Sequence, residues 1–300
     1  MKWINQYTGF LRTIRLLYWL NNFKNRKLLQ RNKSIYKSFG IKQSVLKSID
    51  SRILKKHVGD IRNFKPKGFE NETPSNIEFA EQWKKDGFII LRGFLSKKEV
   101  EQINQDVTDG LAQNNLHYNY TGRKIFNAHQ KIESIQNVAQ HPKLLQILKD
   151  LFGRPAIHFQ TISFNKGSEQ QAHSDSIHMT TLPLGFLAGV WVALEEVNDK
   201  NGPLTYYPGS HKLPYILNDD YDNSSNALFL DGNANSKYEK HVAKVIISEN
   251  LQPKVLHTQP GDVLIWHANL MHGGAPIKDD NATRKSMVFH YFAKDVLCFH

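Results

Sequence analysis

Three hundred residues with one cysteine and an ordinary 40% hydrophobic content exclude an intramolecular disulfide framework and leave room for a sizeable core. The net charge of +11 sits at one end: residues 1–56 hold fourteen Lys or Arg against the single acid Asp50, and that +13 taken from +11 leaves −2 for the rest. A basic appendage is indicated, not a nucleic-acid-binding core, and Cys298 alone points to a reducing, cytoplasmic setting.

Trp3, Tyr7, Phe10, Ile14 and Leu17 recur at alternating four- and three-residue steps, with Leu11 and Tyr18 beside them. This spacing predicts an amphipathic helix. Arg12 and Arg15 interrupt any apolar run, which excludes a membrane span of ~20 consecutive apolar residues, and no small-residue cleavage site follows. Two readings stay open: a helix lying on an anionic membrane surface, peripheral on its inner face, or a helix packed on the core with a solvated basic face. Lys24 to Lys56 continues basic and helical. Asn63 to Ser75, with Pro66, Gly68 and Pro74, reads as a linker, so the expected organisation is an extension over 1–75 and one catalytic domain over 76–300.

Ser75 or Asn76 is expected to cap a helix running to about Lys85 that ends at Asp86-Gly87, followed by a strand from Phe88 to Leu91. Ser96-Lys-Lys-Glu99 has capping-box spacing, and Val100, Ile103, Val107 and Leu111 mark the apolar face of the helix it opens. A further helix begins at Pro142 and stops at Gly153. Strand signals then crowd together: Ile157 to Phe164, Ala172 to Ser176, Leu187 to Val197, Leu204 to Tyr207, Val255 to Thr258, Val263 to His267 and Lys285 to Phe292. Many short strands with Gly and Pro corners predict a mainly β fold with flanking helices, a cupin-like jelly roll or double-stranded β-helix. Asn218 to Lys240, rich in Asn, Asp, Ser and Gly, reads as a surface loop or lid.

The chemistry centres on His173-Ser-Asp175. On a strand, residues two apart face the same way, so one imidazole and one carboxylate would converge. His272, following the Gly261-to-His267 strand and preceding Gly273-Gly274, would complete two histidines and one carboxylate, the donor set of non-haem iron(II) oxygenases with open positions for chemistry. Arg284 opens the next apolar strand; a buried guanidinium needs a partner, and a bidentate carboxylate is its natural one.

These residues, with Gly202-Pro-Leu-Thr-Tyr-Tyr-Pro-Gly-Ser-His211-Lys and the Trp266-to-Gly274 stretch, resemble the phytanoyl-CoA dioxygenase family of iron(II)- and 2-oxoglutarate-dependent dioxygenases over about residues 80–293. The resemblance implies that His173, Asp175 and His272 hold Fe(II) and that Arg284 clamps the distal carboxylate of 2-oxoglutarate. It also implies that Trp191 lines the co-substrate pocket, with Gln160 and Ser286 as further contacts. Ser174 stands where some members carry glutamine, and Gly274 where some carry serine. The implied reaction consumes O2 and 2-oxoglutarate and releases succinate and CO2. Related halogenases replace the carboxylate ligand with Gly or Ala, so Asp175 favours hydroxylation. The implied substrate is a small-molecule or lipid- or glycan-linked metabolite.

The remaining histidines have a plainer reading. His211 follows a Pro-Gly-Ser turn and is expected to order that loop; His178 is within reach of the cavity. His158, His257, His267 and His290 are expected to find backbone partners and stop there. Tyr206 and Tyr207 fall on opposite strand faces, so one at most points inward. The rival reading is a cupin-like metal- or sugar-binding protein without turnover, which would have no need of Arg284.

Overall fold

The computed structural model describes residues 16, 17, 19, 20, 23, 45, 46, 51–66, 73–217, 219–221 and 234–299. Six antiparallel strands form the main sheet: β2 (Phe88–Leu91), β3 (Lys124–Phe126), β4 (Ala156–Phe164), β6 (Leu187–Ala193), β9 (Val263–His267) and β11 (Ser286–Ala293), in the order β2-β9-β6-β11-β4-β3. Facing it is a smaller sheet of β7 (Leu204–Tyr206), β8 (Lys254–Leu256) and β10 (His272–Gly274), ordered β10-β7-β8. A third set joins β1 (Val45–Leu46), β5 (Thr180–Leu182) and β12 (Leu297–Phe299).

Strand alternation sorts the main sheet into two faces. Val190, Val192, Ile265, Met287 and Phe289 point to a helical layer, where they pack with Ile103, Ile135, Leu144 and Leu148. The helices there are α2 (Ile77–Asp86), α3 (Lys97–Ala112), α4 (Glu133–Ala139) and α5 (Pro142–Phe152). Phe88, Trp191, Leu264, Trp266 and Val288 point the other way and meet Leu204, Tyr206, Leu256 and Leu270 of the small-sheet side. This second, inner face is the cavity wall of a jelly roll.

The local signals that set the helices operate as the sequence predicts. Asn76 Oδ1 accepts from Phe79 N at 3.0 Å and Gly87 closes α2 at φ 81°. The Ser96–Glu99 capping box is complete in both directions, with Ser96 N donating to Glu99 Oε2 at 2.7 Å and Glu99 N to Ser96 Oγ at 3.3 Å. Pro142 opens α5 and Gly153 ends it in the left-handed region.

Several expectations need correction. Ala172 to Ser176 is not a strand: His173 makes an isolated antiparallel bridge to His272, and a 3-10 turn begins at Asp175. β6 stops at Ala193, and Val197 instead bridges Thr258. The stretch expected as a loop to Lys240 turns helical at Ala234, opening α6 (Ala234–Ser248); Tyr238, Val242, Val245 and Ile246 carry a helical period that its polar beginning masks. Residues 218 and 222–233 of that stretch lie outside the described residues.

The basic extension is partly seated on the core. Val45 and Leu46 pair in parallel with Cys298 and Phe299, a strand where helix was expected. Leu54 of α1 (Ser51–Val58) and Ile61 are buried against Leu182, Leu297 and Phe299. Of the expected N-terminal helix, residues 16, 17, 19, 20 and 23 are helical and the remaining described signal is lateral: Trp19 stacks on Phe23 with centroids 5.4 Å apart. Trp3, Tyr7, Phe10, Leu11, Ile14 and Tyr18 lie outside the described residues. No described helix is long and apolar enough to cross a membrane.

Candidate metal and co-substrate site

His173 and His272 meet because their backbones do. Each donates its N–H to the other's carbonyl, at 2.9 and 2.8 Å, a hydrogen-bonded bridge between two otherwise irregular segments. Their rings come within 4.5 Å, centroid to centroid. Asp175, two residues on at the start of a 3-10 turn, brings its Oδ1 to 3.7 Å from His272 Nε2. One ligand atom from each of the three lies within 4.8 Å of the others, and all three residues are buried. Period-two spacing in an extended Ser174 does aim both side chains inward, but an isolated bridge and a turn hold them there rather than a strand.

The unused atoms of the triad are already committed. His173 Nδ1 sits 2.8 Å from Gln171 O and His272 Nδ1 2.9 Å from Leu270 O. A backbone carbonyl can only accept, so both Nδ1 atoms carry the proton and both Nε2 lone pairs are free for a metal. Burial, reinforced by the neighbouring His272, pushes the His173 imidazole down to about 3, so it is neutral and ligand-competent at physiological pH. For Asp175 burial works against the charge, yet the imidazoles of His272 and His290 outweigh it and hold the carboxyl below its usual range. Trp266 Nε1 donates to Asp175 Oδ2 at 2.7 Å, and His290 Nε2 lies 3.6 Å from the same oxygen.

The sequence-predicted co-substrate residues share one wall. Register places Ser286, Val288 and His290 of β11 beside Ala193, Trp191 and Gly189 of β6, and beside Phe164, Ile162 and Gln160 of β4. Alternation turns all of them to the inner face, and a register shift between His290 and Tyr291 marks the metal end of that row. At the other end Arg284 is fixed by its N–H to Asn165 O at 3.0 Å, and its guanidinium carbon lies 5.9 Å from the Phe164 and Trp191 ring centres. Arg284 is buried and its Nε has no hydrogen-bond partner. Burial, opposed in part by Glu195, lowers it to about 10, still charged at neutral pH.

Ser286 Oγ, Gln160 Oε1 and Trp191 Nε1 are likewise buried without partners. Orphan polar atoms of this kind are costly unless something fills the space between them. A dicarboxylate chelating a metal at one end and reaching Arg284 at the other would accept from Arg284 Nε, Ser286 Oγ and Trp191 Nε1, so the residues present fit both groups.

Sequence reasoning missed three contributors. Trp266 and His290 act on Asp175 through strand register, which spacing does not reveal. Lys124 on β3 is half-buried, and its ammonium lies 5.4 Å from the Phe164 ring that Arg284 also faces, with burial lowering its pKa. Of the other histidines, His158 Nε2 does settle on a backbone carbonyl, that of Gln160, at 2.9 Å, and His257 instead pairs with Asp199 at 2.8 Å. His178 stands exposed beside His173, centroids 6.1 Å apart. Tyr206 faces inward among the small-sheet residues. At Gly274, where a serine was the alternative, a Cβ would stand 2.7 Å from Ser168 Oγ, so this chain has no room for it.

A sequence model of the phytanoyl-CoA dioxygenase (PhyH) family matches residues 83–286. The peroxisomal phytanoyl-CoA dioxygenase of Bos taurus is 24% identical, over 78% of this chain and 74% of its own. A probable alpha-ketoglutarate-dependent hypophosphite dioxygenase of Stutzerimonas stutzeri is also 24% identical, over 72% and 79%. Among solved structures, EctD from S. alaskensis with 2-oxoglutarate and 5-hydroxyectoine superposes with a TM-score of 0.56 at 20% identity, covering 78% of this chain and 80% of that one. A jelly roll whose inner wall carries two histidines, an aspartate and a buried arginine, together with the family model matched over residues 83–286, leads to one assignment: the chain belongs to the phytanoyl-CoA dioxygenase family and is an iron(II)- and 2-oxoglutarate-dependent dioxygenase.

Proposed function

We propose that this dioxygenase hydroxylates a small-molecule or lipid- or glycan-linked metabolite, consuming O2 and 2-oxoglutarate and releasing succinate and CO2. The observation that carries the reading is the pairing, on one inner face, of a His-Asp-His triad with a buried guanidinium whose Nε has no hydrogen-bond partner among the described residues. In this reading His173, Asp175 and His272 hold iron(II), which when bound supplies the oxygen-activating chemistry. Arg284 and Ser286 receive the distal carboxylate of 2-oxoglutarate, with Lys124 as a second cation near that end. Trp191 and Gln160 line the co-substrate's length and exclude water. An aspartate ligand rather than Gly or Ala leaves no space for a halide, which favours oxygen transfer.

The lipid-linked class is supported by the extension. Leu16, Trp19 and Leu20 are 63%, 56% and 46% exposed, next to Arg12, Arg15, Lys24, Arg26 and Lys27 in sequence. An aromatic and aliphatic face amid cations suits an anionic membrane surface. Leu54 belongs to the core, so the informative truncation removes residues 1–44 and keeps α1. Its sedimentation with anionic liposomes is expected to fall well below that of the full chain; equal sedimentation sinks the membrane reading.

The reaction itself is tested by anaerobic titration of the iron(II)-loaded protein with 2-oxoglutarate, following tryptophan fluorescence. Trp191 lies on the expected path, so quenching is expected, and Arg284→Met should move it to roughly 10- to 150-fold higher 2-oxoglutarate concentration. Incubation with cell extract, iron(II), 2-oxoglutarate and O2 should then yield a product heavier by one oxygen atom. Metal binding without quenching or succinate formation would point instead to a cupin-like binding protein.

A further inference from the structure

Trp266 touches two of the three metal-site residues. Its Nε1 donates to Asp175 Oδ2 at 2.7 Å. Its ring lies against His272, centroids 4.6 Å apart and planes inclined at 41°. Both Trp266 and Asp175 are buried, so this hydrogen bond has no water competing for it.

The strand beside Trp266 is built to admit it. Gly189 of β6 pairs with Trp266 of β9, and a Cβ at position 189 would stand 2.5 Å from the indole Cε2 and 2.7 Å from Nε1. Gly189 has an ordinary backbone, with no positive φ. The absence of a side chain there is explained by the indole's space, not by a turn.

The two oxygens of Asp175 are therefore not equivalent. Oδ2 is taken by the indole N–H and flanked by His290 Nε2 at 3.6 Å. Oδ1 faces the imidazole of His272 at 3.7 Å, on the side where the ligand atoms converge. We infer that Trp266 is a positioning residue that commits Asp175 to the metal through Oδ1 alone, while its ring fixes the plane of His272. A carboxylate held to one oxygen gives three protein donors and keeps three positions of an octahedral metal free; one that turned to bind through both oxygens would occupy a further position. Gly189 supports this by leaving the indole its place. The inference rests on the metal-binding role of the triad.

Two variants reach the indole from different strands. Trp266→Phe keeps a ring over His272 and removes the donor, and Gly189→Ala leaves the donor and displaces the ring. Affinity for Mn(II) and the visible absorption of bound Co(II) are measured on each chain, without 2-oxoglutarate, at a temperature where circular dichroism shows the metal-free variant folded. Wild type is expected to bind one metal per chain; if it binds none, the triad assignment itself falls. With wild-type binding in hand, both variants are expected to bind Mn(II) roughly 10- to 100-fold more weakly. The Co(II) spectrum of Trp266→Phe should also shift, because the carboxylate is free to change its mode. Wild-type affinity and an unchanged Co(II) spectrum in a folded Trp266→Phe protein would overturn the inference, whatever its turnover.

Discussion

The two ends of the inner wall are finished to different degrees. At the metal end each non-ligating polar atom of the triad is engaged: His173 Nδ1 with Gln171 O, His272 Nδ1 with Leu270 O, Asp175 Oδ2 with Trp266. At the arginine end Arg284 Nε, Ser286 Oγ and Trp191 Nε1 have no hydrogen-bond partner. The triad itself is oriented by the protein alone, although His290 Nδ1 and Gln160 Oε1 beside it are buried without hydrogen-bond partners. The arginine end carries unsatisfied polar groups that a bound dicarboxylate would relieve, so binding there recovers a desolvation cost already incurred in folding.

The contrast predicts different failures at the two ends. Asp175→Ala removes a ligand and strands the Trp266 N–H. Iron-dependent succinate formation is expected to drop by more than ~100-fold, beyond the 10–100-fold typical of an outer contact. Turnover within tenfold of wild type would show that the triad is not the metal site. Arg284→Met should spare metal binding. It is expected to weaken 2-oxoglutarate by roughly 10- to 150-fold, the equivalent of a hydrogen bond to a charged group at about 1.5–3 kcal/mol. Mn(II) affinity by equilibrium dialysis and 2-oxoglutarate affinity by calorimetry separate the two; parallel losses in both would erase the distinction between the ends.

What was legible in the sequence follows the same division. His173 and Asp175 stood out by their period-two spacing, His272 by the glycines that follow it, and Arg284 by its place at the opening of an apolar strand. The helices α2, α3 and α5 were readable from their caps, which are local. Trp266, His290 and Lys124 were not, because their roles arise from which strand lies beside which: β9 against β6, β11 against β4, and β3 at the sheet edge. β10 begins at His272 and contains Gly273 and Gly274, a composition that argues against a strand, and tertiary pairing with β7 overrides it. α6 was hidden by its Asn- and Ser-rich approach, yet its Tyr238 donates structure to the site by accepting Ser174 N at 3.0 Å.

A histidine on the opposite face sharpens the comparison. His267 ends β9 on the helix side, where its Nδ1 accepts from Asn269 N at 3.0 Å and its ring packs near Trp83 and His211. Burial, then the proximity of His211, depresses it to about 3, whereas an unfolded chain has its histidines near 6.5. Its folded pKa is the lower, so its stabilisation is fully present above pH 6.5 and is lost as pH falls from 6.5 toward 3. At pH 5 the loss is about 2 kcal/mol. Chemical denaturation of the metal-free protein at pH 7.5 and pH 5 should show wild type losing about that much more than His267→Gln; equal losses would mean that His267 titrates normally in the fold.

The smallest effect tests the unfinished end most directly, because its sign depends on the state. Ser286 Oγ is fully buried and unpartnered, so its hydroxyl contributes no hydrogen bond to the metal-free, co-substrate-free protein. Ser286→Ala removes a group whose desolvation is uncompensated, and the unliganded variant is expected to be as stable as wild type or more so. With 2-oxoglutarate bound the same hydroxyl gains an acceptor, and the variant should bind the co-substrate more weakly by about 0.5–1.5 kcal/mol, roughly a factor of 2–13. Melting temperatures measured with and without saturating 2-oxoglutarate read both signs in one experiment. A variant less stable than wild type by the same amount in both states would place the hydroxyl among ordinary core contacts and remove it from the co-substrate's path.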